Sequence, residues 1–212
     1  MLTSKAILLL GGGGHARVCA EIVELCGGAI AGYLAPLPAE GGMKGYPYLG
    51  TDEILKNYKR DQYLIVNGVG STGAGMAREH LYDRVSELGF TVATLIHPRA
   101  NVSPSAVAGE GAQIMAGAVI QPGTVIGRNA ILNTSAVVDH DCQIGDHVHI
   151  APGAVLCGSV RVGAGAHIGA GATVIQNIQI GAHARIGAGA VVVRDVSERV
   201  TVMGIPAKEA AK

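Results

Sequence analysis

VIQPGTVIGRNAILNTSAVVDHDCQIGDHVHI, residues 119–150, is the middle of a segment that repeats every six residues without a slip. An aliphatic residue or alanine returns at Val102, Ala108, Ile114, Ile120, Ile126, Leu132, Val138 and so on to Ile186 and Val192. Four positions after each stands a second residue, usually small, as at Ala106, Ala112, Ala118, Thr124, Ala130, Ala136, Cys142 and Ala154. A period of six fits neither an α-helix nor an alternating strand. It fits a short straight segment followed by a turn, the hexapeptide repeat of a parallel β-helix. Three segments make one triangular coil of eighteen residues, so Val102 is expected on Ile120 and Ile120 on Val138. Gly and Asn at the corners permit left-handed backbone angles. A narrow prism has no room for large rings, and all the aromatic residues (Tyr33, Tyr46, Tyr48, Tyr58, Tyr63, Tyr82 and Phe90) precede it.

The 212 residues suffice for one large or two small domains. Hydrophobic content of 49% against 15% charge excludes a disordered chain. The formal net charge is +0 and no Lys/Arg cluster occurs, so neither nucleic acid nor an anionic membrane is expected as a partner. Cys19, Cys26, Cys142 and Cys157 have no metal-type spacing. Cys142 falls at an inward repeat position and reads as a buried thiol in a reducing, cytoplasmic setting. The apolar run Ala6 to Leu10 is too short for a signal segment, and no run reaches transmembrane length.

Ahead of the repeat, residues 6–10 (AILLL) read as a buried strand. Gly11 to Ala16 form a tight turn into an amphipathic helix with Val18, Ile22, Val23 and Leu25 on its apolar side, ended by Gly27-Gly28. Ala29 to Leu34 is a second strand, and 35–50 a Pro/Gly-rich loop. Thr51 caps a short helix through Tyr58. Gln62 to Val66 is a third strand, leading into NGVGSTGAG (67–75) and a helix from Met76 to Leu88. Thr91 to Ile96 is a further strand. This alternation predicts a small Rossmann-like parallel sheet. His97-Pro98 marks the passage into the prism, giving domains 1–97 and 98–212, with the tail from Ser197 closing the prism end.

Two places carry chemistry. In GGGGHA, Gly11, Gly13 and Ala16 meet the loose pattern GxGxxG/A, whose bare amides and helix N-terminus can meet a phosphate. NAD would require an acidic residue at the end of the second strand, where Leu34-Ala35 stands. A nucleotide-type ligand other than NAD, or a tight turn without ligand, remains. The loop Gly68 to Ser71 follows the third strand and reaches the same carboxyl edge of the sheet. The second place is His140-Asp141, close to a prism corner with the imidazole outward. An adjacent carboxylate can hold one ring tautomer and raise the basicity of the other nitrogen; an exposed histidine without chemistry is the alternative. His167 and His183 read as turn residues. No H-x-x-E-H or H-x4-H pair occurs among His140, His147, His149, His167 and His183, so no metal is expected.

Taken together, GGGGHA, LIHPRANVSPSA, NTSAVVDHDCQIGDHVHIAPGAVLCG and GIPAK make the whole chain resemble the sialic-acid O-acetyltransferase-like sugar acyltransferases. Within them it is most similar to the bacillosamine-pathway branch, the PglD-like UDP-4-amino-sugar N-acetyltransferases. The resemblance implies a left-handed β-helix and a homotrimer with active sites between neighbouring prisms. It also implies acetyl-CoA as donor and a UDP-linked amino sugar as acceptor. On this resemblance His140 is the general base and Asp141 its acidic neighbour. His149 lies beside acetyl-CoA, the Gly158 N–H faces the thioester carbonyl, and Ala170 and Ala188 touch the CoA arm through their main chain. Gly13, Gly14 and His15 match the loop that holds the nucleotide sugar, and Gly70 and Ser71 are the second-loop residues expected beside it. Relatives can carry an Asp pair after the second strand, where Ala35-Pro36 stands here, so the nucleotide stays open. Two other readings stand: a sugar O-acetyltransferase with the same base, and a β-solenoid binding module without catalysis.

Overall fold

The computed structural model describes residues 2, 5–43, 45–71 and 76–210. The chain divides after Pro98 into two compact units. In the first, β1 (Ala6–Leu10), α1 (Gly14–Leu25), β2 (Ile30–Leu34), β3 (Tyr48–Gly50), a 3-10 segment (Asp52–Asn57), β4 (Tyr63–Asn67) and α2 (Ala77–Glu87) follow one another. The sheet is parallel throughout, in the order β3-β2-β1-β4. Ile7 to Leu10 are all buried, as expected of a central parallel strand with both faces covered. Both helices end alike. The amides of Gly27 and Gly28 turn back to the carbonyls of Glu24 and Val23, and those of Gly89 and Phe90 to Ser86 and Val85.

Four sequence readings need correction here. The buried side of α1 is Ala16, Cys19, Ala20, Ile22 and Val23, whereas Val18 and Leu25 are 43% and 53% exposed. Positions 16, 19, 20 and 23 follow helical spacing, and small residues let the helix lie close to the sheet. The 35–50 loop contains β3, an edge strand pairing Tyr48 with Tyr33. Its edge position tolerates Pro47. Thr51 stands at the N-cap position, but its side chain makes no capping hydrogen bond. Residues 91–93 meet β4 only through an isolated bridge, with bonds between Ile65 and the Thr91 and Ala93 backbone, and the regular strand Leu95–Ile96 is not a member of the four-stranded sheet. Within NGVGSTGAG, residues 72–75 lie outside the described residues.

The second unit is the expected prism. Two-residue strands recur every six residues from Asn101–Val102 to Val191–Val192. They stack as three parallel ladders. The first face carries Val102, Ile120, Val138, Leu156, Val174 and Val192 inward. The second carries Ala108, Ile126, Ile144, Val162 and Ile180. The third carries Ile114, Leu132, Ile150, Ile168 and Ile186, and the tail extends it with Thr201–Met203 and an antiparallel Lys208–Glu209. Each fully buried Val, Leu or Ile of the shaft contributes about 1.5–3 kcal/mol.

The corners have a period of their own. Every sixth residue from Gly111 to Gly189 has φ between 55° and 75°. Where it is not glycine it is Asn129, Ser135, Asp141, His147, Ser159, Asn177 or His183. Short polar side chains tolerate this region, which explains why the repeat survives without glycine there. Gly127 and Gly163 serve differently: a Cβ on either would lie 2.5 Å from a backbone nitrogen of the next coil.

Candidate active site

The edge between the first and second faces carries residues 139–142 and, one coil on, 157–160. His140 and Asp141 are both exposed, and His140 Nδ1 lies 2.8 Å from Asp141 Oδ2. The His140 amide donates to Asp139 Oδ1 at 2.8 Å, so a second carboxylate is held close to the His140 backbone. The hydrogen bond to Asp141, with the charges of Asp139 and Asp141, pushes the His140 pKa above its ordinary 6.5. Gly158 sits beneath this ring. A Cβ on it would lie 2.6 Å from His140 Nε2 and 2.7 Å from Cε1, so the absent side chain is the ring's berth. The same edge holds Cys142, whose thiol donates to the Cys157 carbonyl and is pushed up to about 11 by burial. It supplies no thiolate nucleophile near neutral pH.

The remaining prism residues lie elsewhere on it. His149 is on the third face, 8% exposed. Its Nε2 is 3.1 Å from Asn133 Nδ2. Asn133 Oδ1 accepts from the Thr134 amide at 2.8 Å, which fixes the amide so that Nδ2 donates and the His149 proton rests on Nδ1. The His149 ring meets His167 edge-on at 4.9 Å, in register across the ladder. His167 is therefore a strand residue, not a turn residue; its pKa is lowered by burial and by Arg185. His183 does occupy a corner. Ala170 and Ala188 stand on the edge between the third and first faces, where the Ala170 carbonyl accepts from the Gly189 amide. An edge of a triangular prism faces away from the side opposite it. A single chain thus brings His140, Asp141 and Gly158 together, but not with His149.

In the first unit the two glycine loops adjoin. Gly13 is the extended N-cap of α1, and a Cβ on Gly13 or Gly14 would meet open space. A Cβ on Gly70 would touch His15 Cβ at 3.4 Å, and one on Gly68 would lie 2.7 Å from the Leu10 carbonyl oxygen. Ser71 follows, half-buried. Ala35 is buried, its amide donating to Gly50 and its carbonyl accepting from the Tyr48 hydroxyl, so only Pro36 is exposed at that position.

Sequence reading missed Asn133, Asp139 and Arg78. Arg78 lies in the first turn of α2, a poor place for a cation beside the helix dipole, and that misfit is its one signal. It is 4% exposed, and its Nη1 donates to the carbonyls of Asn67 and Val69 at 2.7 Å each. Asn67 returns a bond from Nδ2 to the Arg78 carbonyl, and its Oδ1 accepts from the Val69 amide. Burial pulls the guanidinium down to about 10. The clamp holds the second glycine loop in shape. Arg78→Met, which strands those carbonyls, is expected to cost roughly 2–4 kcal/mol in chemical denaturation. An unchanged unfolding midpoint would contradict the clamp.

Among the described residues, no group of three or more His, Cys, Asp or Glu could hold a metal ion, and no helix is long and apolar enough to cross a membrane.

Residues 6–85 match the family described as PglD N-terminal domain. Residues 105–140, 123–158 and 159–194 match bacterial transferase hexapeptide (six repeats). Among curated proteins no relative matches. Solved structures do. The acetyltransferase domain of PglB from Neisseria gonorrhoeae FA1090, in complex with acetyl coenzyme A, is 38% identical over 98% of this chain and 100% of that one, with a TM-score of 0.90. A variant of perosamine N-acetyltransferase from Caulobacter crescentus, in complex with CoA and GDP-perosamine, is 37% identical over 99% of both chains, with a TM-score of 0.92. WeeI from Acinetobacter baumannii AYE is 25% identical over 97% of this chain and 100% of that one, with a TM-score of 0.80. Fold and site thus define an acyltransferase of the hexapeptide-repeat type. With similarity running nearly the full length of both chains, this chain belongs to the PglD-like sugar N-acetyltransferases.

Proposed function

We propose that the protein transfers an acetyl group from acetyl-CoA to the C4 amine of a nucleotide-linked 4-amino sugar, a step of glycan biosynthesis. The observation that carries this is the His140 ring, tied to Asp141 through Nδ1 and seated over Gly158 with its Nε2 side. An Nδ1–H held by a carboxylate leaves Nε2 as a base. His140 Nε2 takes the proton of the attacking amine as the C–N bond forms, and Asp141 stabilises the imidazolium. The Gly158 N–H donates to the developing oxyanion, an interaction worth roughly 3 kcal/mol of barrier. As the tetrahedral adduct collapses, the C–S bond breaks and CoA leaves as its thiol, the proton passing back from His140.

Three copies around an axis would complete this site. The outward residues of the first face, Val119, Val137, Val155, Thr173 and Val191, form an in-register, mainly aliphatic rank. Covering it with a second prism would bring a neighbour's His149, Ala170 and Ala188 toward His140 and Gly158, which one copy keeps apart. The glycine loops, with Gly13, Gly14, His15, Gly70 and Ser71, would hold the nucleotide sugar. UDP is the proposed nucleotide. GDP is the second reading, favoured by the GDP-perosamine held by a relative of 37% identity and by Ala35-Pro36 where an acidic pair could stand.

The test offers acetyl-CoA with a 4-amino nucleotide sugar and with its 4-hydroxy counterpart. The proposal expects an amide on the first and no ester on the second. An ester, with the amine ignored, would move the assignment to O-acetylation.

A further inference from the structure

We infer that Gly123 is a positioning residue for the His140–Asp141 pair: having no side chain, it leaves the space that the Asp141 carboxylate occupies to reach His140 Nδ1. The inference rests on reading His140 as the base and names a residue through which that base is tuned.

Gly123 lies one coil before Asp141 on the same edge, both in the left-handed corner region at φ 75° and 59°. The Asp141 amide donates to the Pro122 carbonyl at 3.0 Å, pinning the Asp141 backbone to the turn that contains Gly123. A Cβ on Gly123 would overlap Asp141 Oδ1 and lie 3.4 Å from its Cγ. Asp141 Oδ2 is the atom bonded to His140. One oxygen cannot be displaced without moving the other, since both turn about the same Cγ. The backbone angle alone does not demand glycine here, because Asn129, Ser135, Ser159 and Asn177 fill equivalent corners. What demands it is the carboxylate. Gly158, eighteen residues after His140, is the counterpart: the imidazole fills its side-chain space as the carboxylate fills that of Gly123. The pair sits between two missing side chains, one on each adjacent coil.

A matched control exists in the same prism. Gly165 has φ 67°, and a Cβ on it would overlap His183 Nδ1, again eighteen residues on. Gly165→Ala therefore imposes the same corner strain and the same kind of collision on a side chain unconnected with His140. The experiment labels histidine Cε1 with 13C and follows the His140 titration by NMR in wild type, Gly123→Ala, Gly165→Ala and Asp141→Asn, with kcat/KM and thermal midpoints on the same samples. In Gly123→Ala the His140 pKa falls toward its value in Asp141→Asn, and kcat/KM drops about tenfold. Gly165→Ala loses a similar thermal midpoint but keeps the wild-type titration and rate. A His140 titration in Gly123→Ala that matches wild type overturns the inference. If the pKa falls in both Gly123→Ala and Asp141→Asn while neither changes kcat/KM, Gly123 stands as a positioning residue and the assignment of His140 as base fails.

Discussion

His140→Ala is expected to lower kcat by ~10²–10⁴-fold, the range that a positioned general base supplies. The side chain is exposed, so the thermal midpoint should stay near wild type. CoA affinity, measured by calorimetry, should also hold, since the residues proposed for the CoA arm are on another edge. Loss of turnover with retained folding and CoA binding is thus the expected pattern. Near-normal turnover would remove His140 from the mechanism and leave the prism as a positioning device alone.

The second large effect is expected at Gly158. In Gly158→Ala the new methyl would stand 2.6 Å from His140 Nε2, closer than any stable contact, and the ring must leave. Because the ring is exposed, it can swing away at little cost in stability. The cost falls on geometry: a displacement of about 1 Å at the reacting group can lose roughly a hundredfold in rate. A drop of that order in kcat/KM with an unchanged unfolding curve is the prediction. Wild-type kinetics in this variant would mean that the ring does not work in the position described.

Much of the prism was legible because its signal is periodic. Val102, Ile120 and Val138 had to stack once a six-residue period was recognised, and the ladder register follows the arithmetic. His140-Asp141 was legible because neighbours in sequence are neighbours in space. Which corner side chain fills the space of which neighbour was not. The eighteen-residue period stacks Gly123 on Asp141 and His140 on Gly158, but it does not say which way a corner side chain turns, and Asn133 against His149, 16 residues apart, lies off that period. Arg78 escaped for a different reason: a charged residue on a helix reads as solvated unless the carbonyls that bury it are known. In α1 the side chains of Ala16, Cys19 and Ala20 decide which face packs, although Val18 and Leu25 are more apolar.

We propose that a carboxylate-tuned His140 takes the proton of the amine. It is tested most directly by the pH dependence of kcat/KM for wild type and Asp141→Asn. The base form of His140 is neutral, and its partner Asp141 favours the charged form, raising the pKa above 6.5. Activity should therefore be low where the ring is protonated and rise with pH through that raised value. Removing the carboxylate lowers the pKa, so in Asp141→Asn the rise should move to lower pH while the plateau falls. A rise that stays where it was in Asp141→Asn, or a wild-type profile with no such rise, would contradict the assignment.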